Sequence, residues 1–290
     1  MKVRNAIQRA IAGVRPRLRA LKYIAIAYRE GTPRTVAEWS DPFAILRHKW
    51  GVVPGDVNMR VRSEELLALG DDELLRTWEG IVQRDTEGPG FAVRGWFHSL
   101  YGSVVRDAKI LDIGCGLGIS TVRFAELGAH VTFVDIVESN IEVVRRVCGL
   151  KELEADFCFM TSASSLDQLP DDFDIVIALG SLINAPLAVV QNEVSWIVPH
   201  LRDGGRWLHL AYPESRWRRD GRPPFFAWGR MTDGPQTPWM EWHDRAKVVS
   251  LFPDHEAEVL FDCEWHGGDF NWFDLKLHRR SQSLEPTARR

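Results

Sequence analysis

The run Ile110-Leu111-Asp112-Ile113-Gly114-Cys115-Gly116-Leu117-Gly118, followed by Val131-Thr132-Phe133-Val134-Asp135, constrains this chain more than any other stretch. An apolar run reaches an acid and then three glycines at alternate positions. A helical pattern follows from Ser120 to Leu127, and a second apolar run also ends on an acid. That is a strand, a tight glycine turn, a helix and a second strand, half of a nucleotide-binding α/β unit. Glycines let the backbone come close to a ligand that any Cβ would strike. Asp135 stands where the second strand delivers a carboxylate to a ribose diol.

The spacing selects the nucleotide. A dinucleotide fingerprint is G-x-G-x-x-G, and its third glycine would fall where this chain has Ile119, which disfavours a nicotinamide oxidoreductase. Without a pyrophosphate to bind, the turn can tighten and Asp112 can reach a cationic ligand group. The pattern Asp112-x-Gly114-x-Gly116-x-Gly118 resembles motif I of the class I S-adenosylmethionine (SAM)-dependent methyltransferases, and Asp135 resembles that family's ribose-binding acid.

The 290 residues suffice for one large domain, or for a domain with an appendage, and the 45% hydrophobic and 26% charged content is that of a globular protein. No apolar run approaches the roughly 18 residues needed to span a bilayer, and the start shows no secretory pattern. Cys115, Cys148, Cys158 and Cys263 are scattered without a C-x-x-C pair, which fits buried thiols in a reduced, cytoplasmic setting. Residues 1–30 hold eight Lys/Arg against one acid, leaving 28 against 39 in the remainder. Such a basic start suits a solvated helix, and it would also suit weak contact with an anionic membrane surface. The acidic body and the lack of an aromatic–basic motif argue against nucleic acid as a partner. Homo-oligomerisation is left open.

Residues 1–30 read as helix interrupted near Pro16, and residues 31–60 as loop with short helical pieces. Acids ahead of leucines at 63–67 and 71–75 mark helix starts. Residues 1–90 are therefore expected as a helical and loop extension, and 91–290 as the catalytic domain. Strands are expected near 109–113, 131–135, 156–160, 174–179 and 206–212, with helices near 119–127, 138–147 and 187–201. Asp203-Gly204-Gly205 reads as the turn before the fifth strand. Residues 213–243, rich in Pro, Arg and Trp, read as a lid insertion. The runs 256–265 and 269–278 form a hairpin around His266-Gly267-Gly268. The family resemblance implies a Rossmann-like α/β sheet, mostly parallel and closed by a final antiparallel strand.

The same resemblance implies a SAM site at the carboxyl ends of the strands. It places Asp112, Gly114, Cys115, Gly116 and Gly118 around the cofactor, with Asp135 and Ile136 on ribose and adenine, and Leu179 beneath the methionine part. After strand three the family often carries an acid for the adenine amino group. This chain has Thr161-Ser162-Ala163 there, so Ser162 and Ala163 are expected at the adenine edge. Arg94, just before strand one, suits a grip on the methionine carboxylate.

Methyl transfer from a sulfonium is an in-line displacement, so positioning supplies much of the catalysis. A hydroxyl acceptor also needs its proton taken. His266 and His243 are the candidate bases, with Glu241 orienting. Tyr212, Trp239, Trp242 and Asp269 are candidate acceptor contacts, and His209 reads as a core histidine inside strand five. No ligand spacing supports a metal site. The expected activity is SAM-dependent methylation of a small molecule at oxygen, on a carbohydrate or secondary-metabolite precursor. An S- or N-methyltransferase for an amino-acid-like acceptor stays open beside it. So does a reading of another class, a SAM-binding regulator or scaffold.

Overall fold

The computed structural model describes residues 2–52, 61–234 and 236–280. The α-helices are α1 (Lys2–Arg29), α2 (Pro42–Val52), α3 (Ser63–Leu67), α4 (Asp71–Thr86) and α5 (Gly95–Tyr101), all ahead of the first strand. The strands β1 (Lys109–Ile113), β2 (His130–Asp135), β3 (Ala155–Phe159), β4 (Phe173–Leu179) and β5 (Leu201–Ala211) then alternate with α6 (Val122–Glu126), α7 (Glu138–Leu150) and α8 (Leu187–Ile197). A 3₁₀ turn, Ala163–Leu166, stands between β3 and β4 in place of a helix. After β5 come α9 (Glu214–Arg219), α10 (Phe225–Thr232) and α11 (Arg245–Val249), then β6 (His255–Trp265) and β7 (Phe270–Arg279).

The seven strands form one sheet in the order β3-β2-β1-β4-β5-β7-β6. The first five strands are mutually parallel, and β7 runs antiparallel between β5 and β6. This is the Rossmann-like class I arrangement. Because β2 and β3 lie on one side of β1 and β4 lies on the other, the chain reverses direction at the β1–β4 boundary. A crevice opens there beyond the carboxyl ends of the strands.

Side chains of each strand alternate between two cores. Leu111, Ile113, Val176, Ala178 and Trp207 face one, whereas Ile110, Val131, Phe133, Ile177 and Leu208 face the other. Burial of both faces explains why the central strands read as continuous apolar runs. The observed strands agree with the expected ones to within a residue or two, except β5. It starts at Leu201, because Leu201 already pairs with Phe173 before the register shifts and Arg206 meets Ile175. The expected glycine turn is thus an irregularity inside the strand, with Gly204 at φ 69°.

Three expectations change in the structure. The N-terminal ninety residues do not stand apart: Ala20, Trp39 and Leu46 enter the first core, and Leu66, Leu74 and Trp78 enter the second. α1 also continues through Pro16, since a proline removes one hydrogen bond without having to end a helix. The segment expected as a lid is packed. Trp228, Thr237, Met240 and His243 are wholly buried, and α10 docks on α1. The guanidinium of Arg230 lies 2.7 Å from Glu30, and Arg19 donates to the Met231 carbonyl at 2.9 Å. The indoles of this segment serve this packing. No helix among the described residues is long and apolar enough to cross a membrane.

Candidate active site

The glycine turn after β1 is shaped by close approach. Gly114 has φ 71°, and a Cβ there would lie 2.4 Å from the Ser181 Cβ, so only glycine lets the turns after β1 and β4 meet. Gly116, at φ 55°, has nothing within 4 Å of where its Cβ would be, so its bare face looks into open space. Gly118 is crowded by Val122 and Val144 and packs the turn against α6 and α7.

Two acids sit under this turn. Asp135 Oδ2 accepts the Gly116 N–H and Oδ1 accepts the Val137 N–H, both at 2.8 Å. Burial raises its pKa, and the backbone donors of Val137 and Gly116 oppose the rise. Asp112 accepts one hydrogen bond at 2.5 Å from the Thr121 hydroxyl. Its pKa is pushed up to about 7 by burial, opposed by the Thr121 hydrogen bond and reinforced by the neighbouring Asp135. Both carboxyls are thus held in a poorly solvated cleft, where a cationic or hydroxyl-rich ligand would be welcome. The Cys115 thiol is raised by burial and by both acids, so it forms a neutral wall.

These groups open onto a cavity of about 320 Å³ at the switch point, within the range of small-molecule sites. Of the residues expected around the cofactor, Asp112, Gly114, Cys115, Gly116, Asp135, Ile136, Leu179 and Arg94 line it. Gly118, Ser162 and Ala163 are not among its lining residues. Ser162 turns its hydroxyl to Ser164 at 2.8 Å.

Of the residues expected to bind or activate the acceptor, Tyr212 alone lines the cavity. His266 is on the hairpin turn beyond β6, exposed and hydrogen-bonded to Asp269, which itself pairs with Arg219. The topology does return this turn to the ligand side. However, β7 and β6 lie outside β5, so the histidine is at the far edge of the sheet. His243 is fully buried against His209, with ring nitrogens 3.0 Å apart, and desolvation holds both pKa values below the usual imidazole range. Glu241 caps α8 by accepting the Leu187 N–H at 3.1 Å and pairs with Lys247 at 2.6 Å. Trp239 packs edge-on against Trp39, and Trp242 carries the Lys247 ammonium at 3.6 Å. None of these six residues lines the cavity.

The cavity wall instead includes Asp233, which no motif indicated. The Tyr212 hydroxyl donates to Asp233 Oδ1 at 2.6 Å. Asn184 Nδ2 donates to Oδ2 at 3.4 Å, and the Lys49 ammonium lies 4.0 Å from the same oxygen while donating to Asn184 Oδ1 at 2.5 Å. All four side chains are buried, Lys49 and Asn184 at 0% and 1% exposure. A lysine amid the apolar residues of α2 was the one available signal. Trp50, Ser181 and Glu193 are among the other lining residues that no motif indicated. Among the described residues, no three His, Cys, Asp or Glu side chains gather as a metal site.

Comparison with known proteins bears on the domain and on the fold. Residues 110–205 match the family model described as a methyltransferase domain. Ubiquinone biosynthesis O-methyltransferase from Aeromonas salmonicida is 35% identical over 99 residues, which cover 34% of this chain and 40% of that protein. The enzyme of the same name from Maricaulis maris is 39% identical over 71 residues, covering 24% and 28%. The chain thus spans two fifths or less of the length of these relatives. The magnesium protoporphyrin IX methyltransferase of Synechocystis PCC 6803 superposes with a TM-score of 0.51 at 16% identity, covering 81% of this chain and 99% of that one. That likeness is one of fold.

Proposed function

We propose, from the premise that residues 110–205 are a class I SAM-dependent methyltransferase domain, that the whole chain methylates a hydroxyl group of a small, largely apolar acceptor. The observation that carries this reading is the Tyr212–Asp233 hydrogen bond on the wall of the same cavity that the glycine turn and the two acids enter. The residues present fit SAM: the bare face of Gly116 leaves room for it, Asp135 suits a ribose diol, and Asp112 suits its ammonium group. Arg94 is assigned to the methionine carboxylate. SAM, when bound, supplies a methyl group on a positively charged sulfur.

The chain's own part is orientation and proton removal. The Tyr212 oxygen can accept the acceptor's hydroxyl proton while its own proton moves to Asp233 Oδ1, 2.6 Å away. Asn184 and Lys49 hold the Asp233 carboxyl in place beside Tyr212. Trp50, Val61, Leu210 and Phe270 make the surrounding wall apolar, which favours a ring-bearing phenol or enol over a carbohydrate. The two O-methyltransferase relatives point to oxygen as well.

The test is transfer from SAM to a panel of phenols, amines and thiols, read as release of S-adenosylhomocysteine (SAH) and product mass. Methylation of hydroxyl acceptors, with a rate rising as pH rises, is expected. Methylation of only amines or thiols would overturn the reading, as would the absence of SAH release with every acceptor.

A further inference from the structure

The buried face of α8 is formed by Val189, Val190, Glu193, Val194 and Ile197. A carboxyl group is out of place in that stripe. Glu193 is 9% exposed, lines the cavity, and its side chain hydrogen-bonds to no group among the described residues. Burial alone pushes its pKa up to about 7. Leaving an acid in such surroundings costs stability unless a ligand supplies the partner.

The surroundings of Glu193 indicate what that partner is. α2 roofs this side of the cavity. At one end its Phe43 stacks on Trp196 of α8, with ring centroids 5.9 Å apart. Near the middle of α2, Arg47 donates to the carbonyls of Ile136 and Thr161, at 3.1 and 3.3 Å, just past β2 and β3. Beneath this roof Phe43, Leu46, Ile136, Met160 and Ile197 line the space, and Glu193 is the polar group among them. A slot with apolar faces and one carboxyl suits a flat heteroaromatic ring carrying an amino group on its edge. The serines after β3 do not supply that group: Ser165 Oγ is engaged by the N–H groups of Thr161 and Ser162, at 3.0 and 3.3 Å. A nucleoside whose ribose sits on Asp135 would send its base past Ile136 into this slot.

We infer that Glu193 accepts a hydrogen bond from the exocyclic amino group of the adenine of SAM. It replaces, from α8, an acid that this chain lacks after β3. The inference rests on the proposal that the cavity binds SAM. A protonated Glu193 would also present a donor to the neighbouring ring nitrogen, and a Gln amide would offer the same acceptor and donor.

Titration calorimetry with SAH, and with its analogue in which purine without the amino group replaces adenine, tests the contact without any methyl acceptor. Wild type is expected to prefer SAH by about 10- to 100-fold, as for a hydrogen bond to a charged group. Glu193→Gln should keep that preference. Glu193→Met should bind the two ligands alike, with Glu193→Ala as a second truncation and circular dichroism verifying the fold of each. An undiminished preference in the truncated variants overturns the inference, as does a wild type that binds SAH without distinguishing the analogue. A wild type that binds neither ligand overturns the SAM reading and this inference together.

Discussion

Asp112 offers a test of the site's electrostatics that needs no knowledge of the acceptor. It is 2% exposed, and its pKa is displaced from 3.8 to about 7, chiefly by burial. Below about pH 4 the carboxyl is protonated in both the folded and the unfolded chain and costs nothing. As pH rises through 3.8 the unfolded chain releases its proton while the folded chain keeps it. The cost to folding therefore grows until pH passes about 7, where both states are ionised. At 1.36 kcal/mol per pH unit, the full cost is about 4 kcal/mol, of which about 1.5–2 kcal/mol is already present at pH 5. Asp112→Asn keeps an oxygen to accept from Thr121 Oγ1 and carries no charge. The stability of Asp112→Asn relative to wild type should thus be about 2–3 kcal/mol higher at pH 8 than at pH 5.

Urea unfolding of the ligand-free protein at the two pH values reads this difference directly. Glu193 is also raised to about 7 and contributes its own pH dependence, but equally in both proteins, so it cancels. The same substitution should weaken SAH binding at pH 8 by roughly tenfold or more, because a charge-assisted hydrogen bond to the ligand's ammonium is lost. A stability difference that is flat between pH 5 and pH 8 would refute the claim that Asp112 is ionised against its surroundings. Higher stability together with weaker binding is the pattern of a residue kept for function.

Other substitutions probe the remaining parts. Asp135→Ala leaves the N–H groups of Gly116 and Val137 without their acceptor, so it should lower stability by about 2–4 kcal/mol in urea melts and weaken SAH binding at least tenfold. Gly116→Val puts side-chain atoms into the cavity at a φ of 55°, and calorimetry should find SAH binding abolished in a protein that still folds. Tyr212→Phe and Asp233→Asn should each lower turnover about 10²- to 10⁴-fold while SAH affinity changes only slightly, measured by initial rates and titration. His266→Ala should leave turnover unchanged, and a large loss there would move the proton acceptor to the sheet's edge.

What could be read from the chain beforehand follows from how local each feature is. The β1 turn, Asp112 and Asp135 lie within 26 consecutive residues, and each follows from a rule about one turn or one strand end. The strands between them show in the sequence because burial on both faces leaves no polar alternation. The acceptor end has no such compactness. Lys49, Asn184, Tyr212 and Asp233 belong to four separate segments and meet only because α1 and α2 fold back over α10 and the turn after β4. His266 was a natural candidate because β6 runs in the direction of β5, so the turn after it returns to the ligand side. Position across the sheet, rather than direction along it, decides which turn reaches the switch point. His243 misled for a related reason: the segment around it is rich in reactive side chains, yet it runs inward to meet His209 on β5. The indoles of 213–243, read as a mobile cover, are the weight that holds this segment down. The N-terminal residues, read as an appendage, supply α2 as the roof of the cofactor end and Lys49 as the cation beside Asp233. The N-terminal residues thus supply part of the cavity wall on which the proposed acceptor rests, whereas the matched residues 110–205 hold the glycine turn and the two acids.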